Sequence, residues 1–261
     1  MRRVKMKKTG ALRASFRRAF FSPAFFLAPV GLAVFMLGEV LLLKRKADNA
    51  FLAYSFAFST GSVNDMIYKT LPLFPFALSY AEDVYSGAIP FWSVRCGVRR
   101  YVRSVWVTAA VTGFLTVFLG LMLFDTVVFT AIPVPEVEAD ENLFGNFLKY
   151  GSPVPYLLVD GFYKALSGAM TACTAVWFSS MIPDRLATIV SPVILDFLYI
   201  RIISVFPYYY NFKLIKGITI EGGGELRWLW TILAKLATAL VLCTALGLLA
   251  EHNAKRRQKN E

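Results

Sequence analysis

Long apolar runs separated by short polar segments dominate the chain. Apolar stretches of roughly 18 residues or more are typical of helices that cross a membrane. The pattern predicts an all-α polytopic membrane protein with six spans, at about residues 23–43, 66–80, 104–132, 156–182, 186–206 and 226–250. The second span is short and contains Lys69, Pro72 and Pro75. We therefore expect it to be kinked and packed against other helices.

The two ends of the chain are basic. In residues 1–22, apolar side chains recur every four positions from Leu12 to Phe20, between arginines. This predicts an amphipathic helix that lies on the membrane surface. Residues 251–261 form a basic tail. Because Lys and Arg are enriched in cytoplasmic segments, we expect both termini on the cytoplasmic side and residues 23–250 to form a single transmembrane domain.

The loops between the spans differ in charge. The loop at 81–103 is rich in arginine, which predicts a cytoplasmic position, whereas the loop at 133–155 is acidic and fits the outer face. The cluster Lys44-Arg45-Lys46 falls on the outer side in this topology, and the pattern does not explain it. Residues 44–65 receive no structural assignment.

Composition supports a membrane location. Of 261 residues, 57% are hydrophobic and 17% are charged, and mean hydropathy is +0.55. A net charge of +11 would suggest a nucleic-acid partner in a soluble chain. Here the basic residues flank apolar runs, so we expect a lipid bilayer and no nucleic acid. Three scattered cysteines and one histidine predict neither a disulfide framework nor a metal site.

The loop between spans two and three carries the most informative pattern. An acidic pair at the end of a span is followed by a Ser-Gly break, an amphipathic stretch and a basic run. The residues are Glu82, Asp83, Ser86, Gly87, Ile89, Phe91, Trp92, Arg95, Tyr101 and Arg103. One interpretation is a solvated basic loop. The other is a short helix that docks a cytoplasmic partner.

This loop resembles that of the membrane subunits of type-2 ATP-binding-cassette exporters, which occur in many bacteria. In that family an acidic pair, a Ser/Thr-Gly step, an Arg, and a Tyr near a basic residue form the loop that contains the coupling helix. The matching positions here are Glu82-Asp83, Ser86-Gly87, Arg95, and Tyr101 with Arg103. Family members often carry Lys at the last position, so Arg103 departs from the pattern in donor shape. The basic arm, the order of spans and the acidic loop are also similar.

The resemblance implies a multi-pass permease in the cell membrane. Its partners would be a second permease subunit, either the same chain or a similar one, and separate nucleotide-binding ATPase subunits that hold ATP and Mg. Amphipathic peptides, lipids and drugs are the implied classes of cargo. The chain itself lacks the spacing GxxxxGK[ST] that cradles phosphates, so we expect it to bind no cofactor and to hydrolyse no ATP.

Ionisable residues inside the spans form a second candidate site. Asp160 and Lys164 are four positions apart, so they share a helix face and can form an ion pair. Asp196 and Arg201 are five apart, a poorer spacing for direct pairing. Together with Lys69, these residues are candidates either for internal ion pairs or for contacts with cargo.

Two further functions stay open at this point. A non-transporting immunity or scaffold protein could share the same architecture. A membrane-embedded enzyme is less favoured, because the motifs Gly-x-Ser-x-Gly and His-Glu-x-x-His are absent and no paired intramembrane aspartates carry their usual glycine motifs. We accordingly assign no catalytic residue.

Overall fold

The computed structural model describes residues 10–43, 63–132, 144, 154–204, 212–213, 217–218 and 227–260. These residues form nine α-helices, one 3₁₀ helix (Leu71–Leu73) and two antiparallel strands of two residues each. The α-helices are α1 (Gly10–Phe20), α2 (Pro23–Leu43), α3 (Val63–Thr70), α4 (Ser79–Tyr85), α5 (Ile89–Cys96), α6 (Val98–Ala131), α7 (Val154–Met181), α8 (Arg185–Ser204) and α9 (Arg227–Asn260). The strands are β1 (Phe212–Lys213) and β2 (Gly217–Ile218). The cluster at residues 44–46 and most of the acidic loop lie outside the described residues.

Capping residues set the start of two helices. The hydroxyl of Ser22 accepts a hydrogen bond of 3.3 Å from the backbone N–H of Ala24, directly before α2. Proline at position 23 suits this start, because the first helical N–H has no partner within the helix. At α8, a carboxylate oxygen of Asp184 accepts a hydrogen bond of 2.8 Å from the N–H of Ala187.

The predicted second span, at residues 66–80, is not one continuous helix. α3 ends at Thr70, the 3₁₀ helix contains Pro72, and a turn that contains Pro75 leads into α4. Proline lacks a backbone N–H and its ring clashes with the preceding turn, so two prolines this close interrupt the α-helix. The predicted kink is therefore a complete break.

Within the described part of the chain, three helices are long and apolar enough to cross a membrane: Pro23–Leu42 within α2, Val98–Ala131, and Trp228–Gln258 within α9. Apart from the two short strands, the described chain is all-helical. Length and composition are thus compatible with a membrane protein. The basic tail is helical as well, because α9 continues to Asn260.

α6 lies at the centre of the helix bundle. It packs against α1, α2, α7 and α9. The backbones of α6 and α7 come closest at Gly113 and Gly168, where a Cβ added to Gly113 would lie 2.5 Å from the carbonyl oxygen of Gly168. α2 packs beside Gly120 through Leu32. Glycine is required where α6 crosses α7, because no side chain fits between the two backbones.

Different helices and side chains meet at the two ends of the bundle. At the end that we call the Asp83 end, α1, α4 and α5 meet the start of α6, the start of α8 and the last turns of α9. At the opposite end, which we call the Tyr156 end, Tyr156 packs near Phe129, Phe144 and Trp228. α6 therefore runs from the Asp83 end to the Tyr156 end, and α7 and α9 run back.

Candidate functional site

Two glycines shape the connection between α4 and α6. Gly87, after α4, has φ of 66°, and Gly97, before α6, has φ of 79°. L-residues with a side chain rarely adopt such angles, so these glycines allow the chain to reverse at both ends of α5. The backbone N–H of Ser86 caps α4 by donating to the carbonyl of Glu82 at 2.9 Å. α5 is thus a separate short helix held between two turns.

One side of α5 is attached to the bundle through aromatic packing. The ring of Trp92 stacks on that of Tyr101 at a centroid distance of 5.9 Å and an angle of 17°. Ile89 also packs against the core of the Asp83 end, which includes Tyr80 and Val102. These contacts join α5 to the first turns of α6.

The opposite side of α5 is exposed. Phe91 is 72% and Val94 is 87% exposed, and Tyr85 at the end of α4 is 86% exposed. Arg95 is exposed beside them. We call these four residues the α5 surface. A group of large apolar side chains exposed together, with a basic residue, is typical of a surface that binds a protein or a membrane.

Asp83 lies beneath this surface and has internal partners. It is buried, and one guanidinium nitrogen of Arg18 donates to its two carboxylate oxygens at 2.9 and 2.8 Å. The hydroxyl of Tyr101 donates a third hydrogen bond of 2.6 Å. Burial opposes the charge of Arg18, but the hydrogen bond and the charge of Asp83 outweigh it and raise the pKa of Arg18. Asp83 therefore ties α4 to α1 and α6.

Glu82 and Arg103 also have partners within the chain. Glu82 is 3.8 Å from a guanidinium nitrogen of Arg18 and 3.7 Å from one of Arg185 in α8. Arg103 forms an ion pair with Glu251 in α9. These contacts hold α1, α4, α6, α8 and α9 together at the Asp83 end.

The predicted coupling residues therefore differ in their exposure and in their contacts. Asp83, Trp92, Tyr101 and Arg103 make internal contacts, and Ile89 is half-buried. Phe91 and Arg95 belong to the α5 surface, Glu82 is partly exposed, and Ser86 and Gly87 form the turn. The sequence analysis missed Arg18, Arg185 and Glu251, which are remote in sequence.

A cavity of about 220 Å³ lies under α5. Ile89, Val102 and Ala254 line its apolar walls, with Tyr80 and Arg257 as polar neighbours. α5 is therefore packed on the Trp92 side, and on its other side it borders a cavity that also reaches the last turns of α9.

Four of the five ionisable residues that the sequence predicts within spans form two separate ion pairs. The ammonium group of Lys164 is 2.9 Å from a carboxylate oxygen of Asp160, as the spacing of four allows. Asp196 pairs with Lys69 of α3, and both side chains are buried. Arg201 instead lies over the ring of Phe197, 5.2 Å from its centroid.

Besides Glu251, two buried acidic or basic residues were not among the candidates, namely Asp125 of α6 and Lys235 of α9. Both carboxylate oxygens of Asp125 and the ammonium of Lys235 lack a hydrogen-bond partner within the described part of the chain. Lys235 lies over the ring of Tyr163, with its nitrogen 3.9 Å from the centroid. Their positions inside long apolar helices are the signal that could have identified them.

Neither the comparisons nor the described residues point to a cofactor. Among the described residues, no group of three or more His, Cys, Asp or Glu side chains is placed to hold a metal ion. Comparison with protein-family models, with curated proteins and with solved structures gives no match to this chain.

Proposed function

We propose that this chain is the permease subunit of an ATP-driven exporter in the cell membrane. In this proposal it forms the transport pathway with a second permease subunit, and a separate ATPase subunit binds ATP and Mg. The α5 surface is the site at which that ATPase docks. The observation that carries the proposal is a short helix between two glycine turns that exposes Phe91, Val94 and Arg95 at one end of the bundle.

The attachment of α5 supports a role in transmitting movement. Trp92 stacks on Tyr101, and Tyr101 donates to Asp83, which Arg18 also contacts. A push on α5 would therefore reach α6 and α1 together. Since α6 also packs against α1, α2, α7 and α9, a shift at its first turn can alter the packing of the whole bundle.

The proposed topology has six crossings and both chain ends in the cytoplasm. The crossings are α2, the broken segment from α3 to α4, α6, α7, α8 and α9. Supporting this arrangement, α1, the α4–α5 connection, the start of α8 and the end of α9 all meet at the Asp83 end. That end also carries the basic segments that the positive-inside rule assigns to the cytoplasm.

Co-purification tests the docking proposal directly. The affinity-tagged full chain is isolated in mild detergent from membranes of its own cells, and co-purified chains are sequenced and assayed for ATP hydrolysis. We expect a chain with a phosphate-binding GxxxxGK[ST] motif to be recovered. The double variant Phe91→Asp, Val94→Asp should reduce that recovery at least tenfold, because it replaces the apolar contact with charge.

The matched control is Leu186→Asp. Leu186 is an apolar residue of α8, 74% exposed, near Arg185 at the same end but outside the α5 surface. This variant should recover the ATPase as the wild type does. Equal recovery with the α5 double variant would contradict the docking site. Absence of any nucleotide-binding chain from the wild-type sample would favour the non-transporting scaffold or immunity protein instead.

A further inference from the structure

Asp125 lies inside α6, toward the Tyr156 end, and is 1% exposed. Neither of its carboxylate oxygens has a hydrogen-bond partner among the described residues. An ionised carboxylate in such a place is removed from bulk solvent and receives no hydrogen bond from the described residues to stabilise its charge. Its neutral, protonated form avoids that loss.

The groups around Asp125 come mainly from α7. Asp160 and Lys164 lie within electrostatic reach of its carboxyl group, and so does the hydroxyl of Tyr156. From α9, the charge of Lys235 acts on Asp160 and Lys164. α2 packs beside this part of α6 through apolar residues, namely Leu32, Ala33, Met36 and Val40. Its one ionisable residue, Glu39, has an unpaired buried oxygen of its own.

One ammonium group therefore acts on two carboxyl groups. Lys164 contacts Asp160 at 2.9 Å, and its charge acts on Asp125 from a greater distance. A carboxylate in contact with the ammonium is stabilised in its ionised form, whereas a buried carboxylate without a counter-ion favours its protonated form. The arrangement in the structure leaves Asp125 as the carboxyl group without a counter-ion in contact.

We propose that Asp125 is a proton-binding site within the helix bundle, and that the contact of Lys164 decides whether Asp125 or Asp160 carries the proton. When Lys164 moves from Asp160 to Asp125, the O–H bond on Asp125 breaks and an O–H bond forms on Asp160, directly or through water. The net charge of the three groups does not change. The bundle thus has two arrangements that differ in where the proton is held.

This site does not depend on the exporter proposal, since it would operate in any protein with this bundle. Its effect is to couple proton position to the packing of α6 against α7. A shift between these helices would change the distance from Lys164 to each carboxylate. The proton would then move with the helices.

Infrared spectroscopy of the full chain in lipid bilayers tests the proposal, because a protonated carboxyl group has a carbonyl stretch separate from the bands of carboxylates. The chain is measured near neutral pH, well above the value of about 3.9 at which an exposed aspartate titrates. Labelling with [¹³C]aspartate identifies bands that arise from aspartate. We expect one labelled protonated-carboxyl band, and Asp125→Asn, which resembles the protonated form in shape, should remove it.

Asp196→Asn is the matched control, because Asp196 is equally buried but paired with Lys69. This variant should leave the band intact. Asp160→Asn should weaken the band, because it frees Lys164 to neutralise Asp125. Absence of a labelled band in the wild type, or its loss in Asp196→Asn, would overturn the assignment of Asp125. Neither of these outcomes depends on whether the Asp125→Asn variant folds. An unchanged band in Asp160→Asn would overturn the role of Lys164.

Discussion

Tyr101 of α6 contacts both α4 and α5 at the Asp83 end of the bundle. Its hydroxyl donates to Asp83 at 2.6 Å, while its ring stacks on Trp92. The same carboxylate accepts two hydrogen bonds from Arg18. Asp83 is buried, so each of these donors compensates for lost hydration.

Removal of the Tyr101 hydroxyl should therefore destabilise the protein. Tyr101→Phe keeps the ring stacking and deletes one hydrogen bond to a charged group, which is worth about 1.5–3 kcal/mol. We expect a lower free energy of unfolding by that amount, measured by chemical denaturation in detergent micelles. Tyr85→Phe is the control. Tyr85 is exposed, so this variant should have the same free energy of unfolding as the wild type. Equal stability of the two variants would show that the hydrogen bond contributes nothing.

Local spacing accounts for some residue contacts and not for others. The pairing of Asp160 with Lys164 follows from their separation of four positions on a helix. Asp196 pairs with Lys69, 127 positions away, and Asp83 with Arg18, 65 positions away. Such pairs depend on how helices pack, and a single sequence contains no local pattern that specifies them. Asp83 and Tyr101 were predicted as residues of the coupling loop, and their internal contacts could not be predicted for the same reason.

At the scale of elements, the crossing of α6 and α7 determines the geometry of the bundle. Gly113 and Gly168 bring the two backbones together, and each would place a Cβ 2.5 Å from the other's carbonyl oxygen. Gly168 lies among small residues of α7, such as Ala169 and Ala172, and such residues allow helices to pack closely. The structure places Gly168 at an interface within the chain.

Gly168→Ala should therefore push α6 and α7 apart. The added methyl group meets backbone, which cannot rotate away, so we expect a loss of about 1–3 kcal/mol. Gly38→Ala is the control, because a Cβ at Gly38 in α2 meets no atom within 4 Å. Alanine there should be neutral or stabilising by about 0.5–1 kcal/mol. The midpoint of thermal unfolding in detergent measures both, and an unchanged midpoint for Gly168→Ala would contradict the close crossing.

Helix ends were less predictable than apolar helix interiors. α2 occupies the predicted residues 23–43, because its capping residues directly precede an uninterrupted apolar run. α6 begins at Val98 instead of 104, since its first turns are rich in arginine and hydropathy alone does not distinguish a polar helical turn from a loop. The two prolines at 72 and 75 predicted a kink, but the number of residues lost from the helix depends on packing.

At the scale of the whole molecule, the two ends of the bundle differ in chemistry. The Asp83 end contains α1 with its arginines, the α5 surface and the basic last turns of α9. The Tyr156 end contains the aromatic cluster of Phe144, Tyr156 and Tyr163. Between them, α2 exposes large apolar side chains such as Phe26, Leu27 and Phe35. This distribution suits a bilayer around the middle of the bundle, and the function proposed here requires the Asp83 end to face the cytoplasm.

Labelling of introduced cysteines in intact cells tests that orientation most directly. Burial raises the pKa of the Cys96 thiol, which slows its reaction, and a Cys96→Ser background removes it as a target. In this background, a membrane-impermeant thiol reagent should label an Asp140→Cys variant, in the predicted outer loop, in intact cells. A Val94→Cys variant, on the α5 surface, should react only after the membrane is opened. Labelling of Val94→Cys in intact cells would place α5 outside the cell and contradict the account.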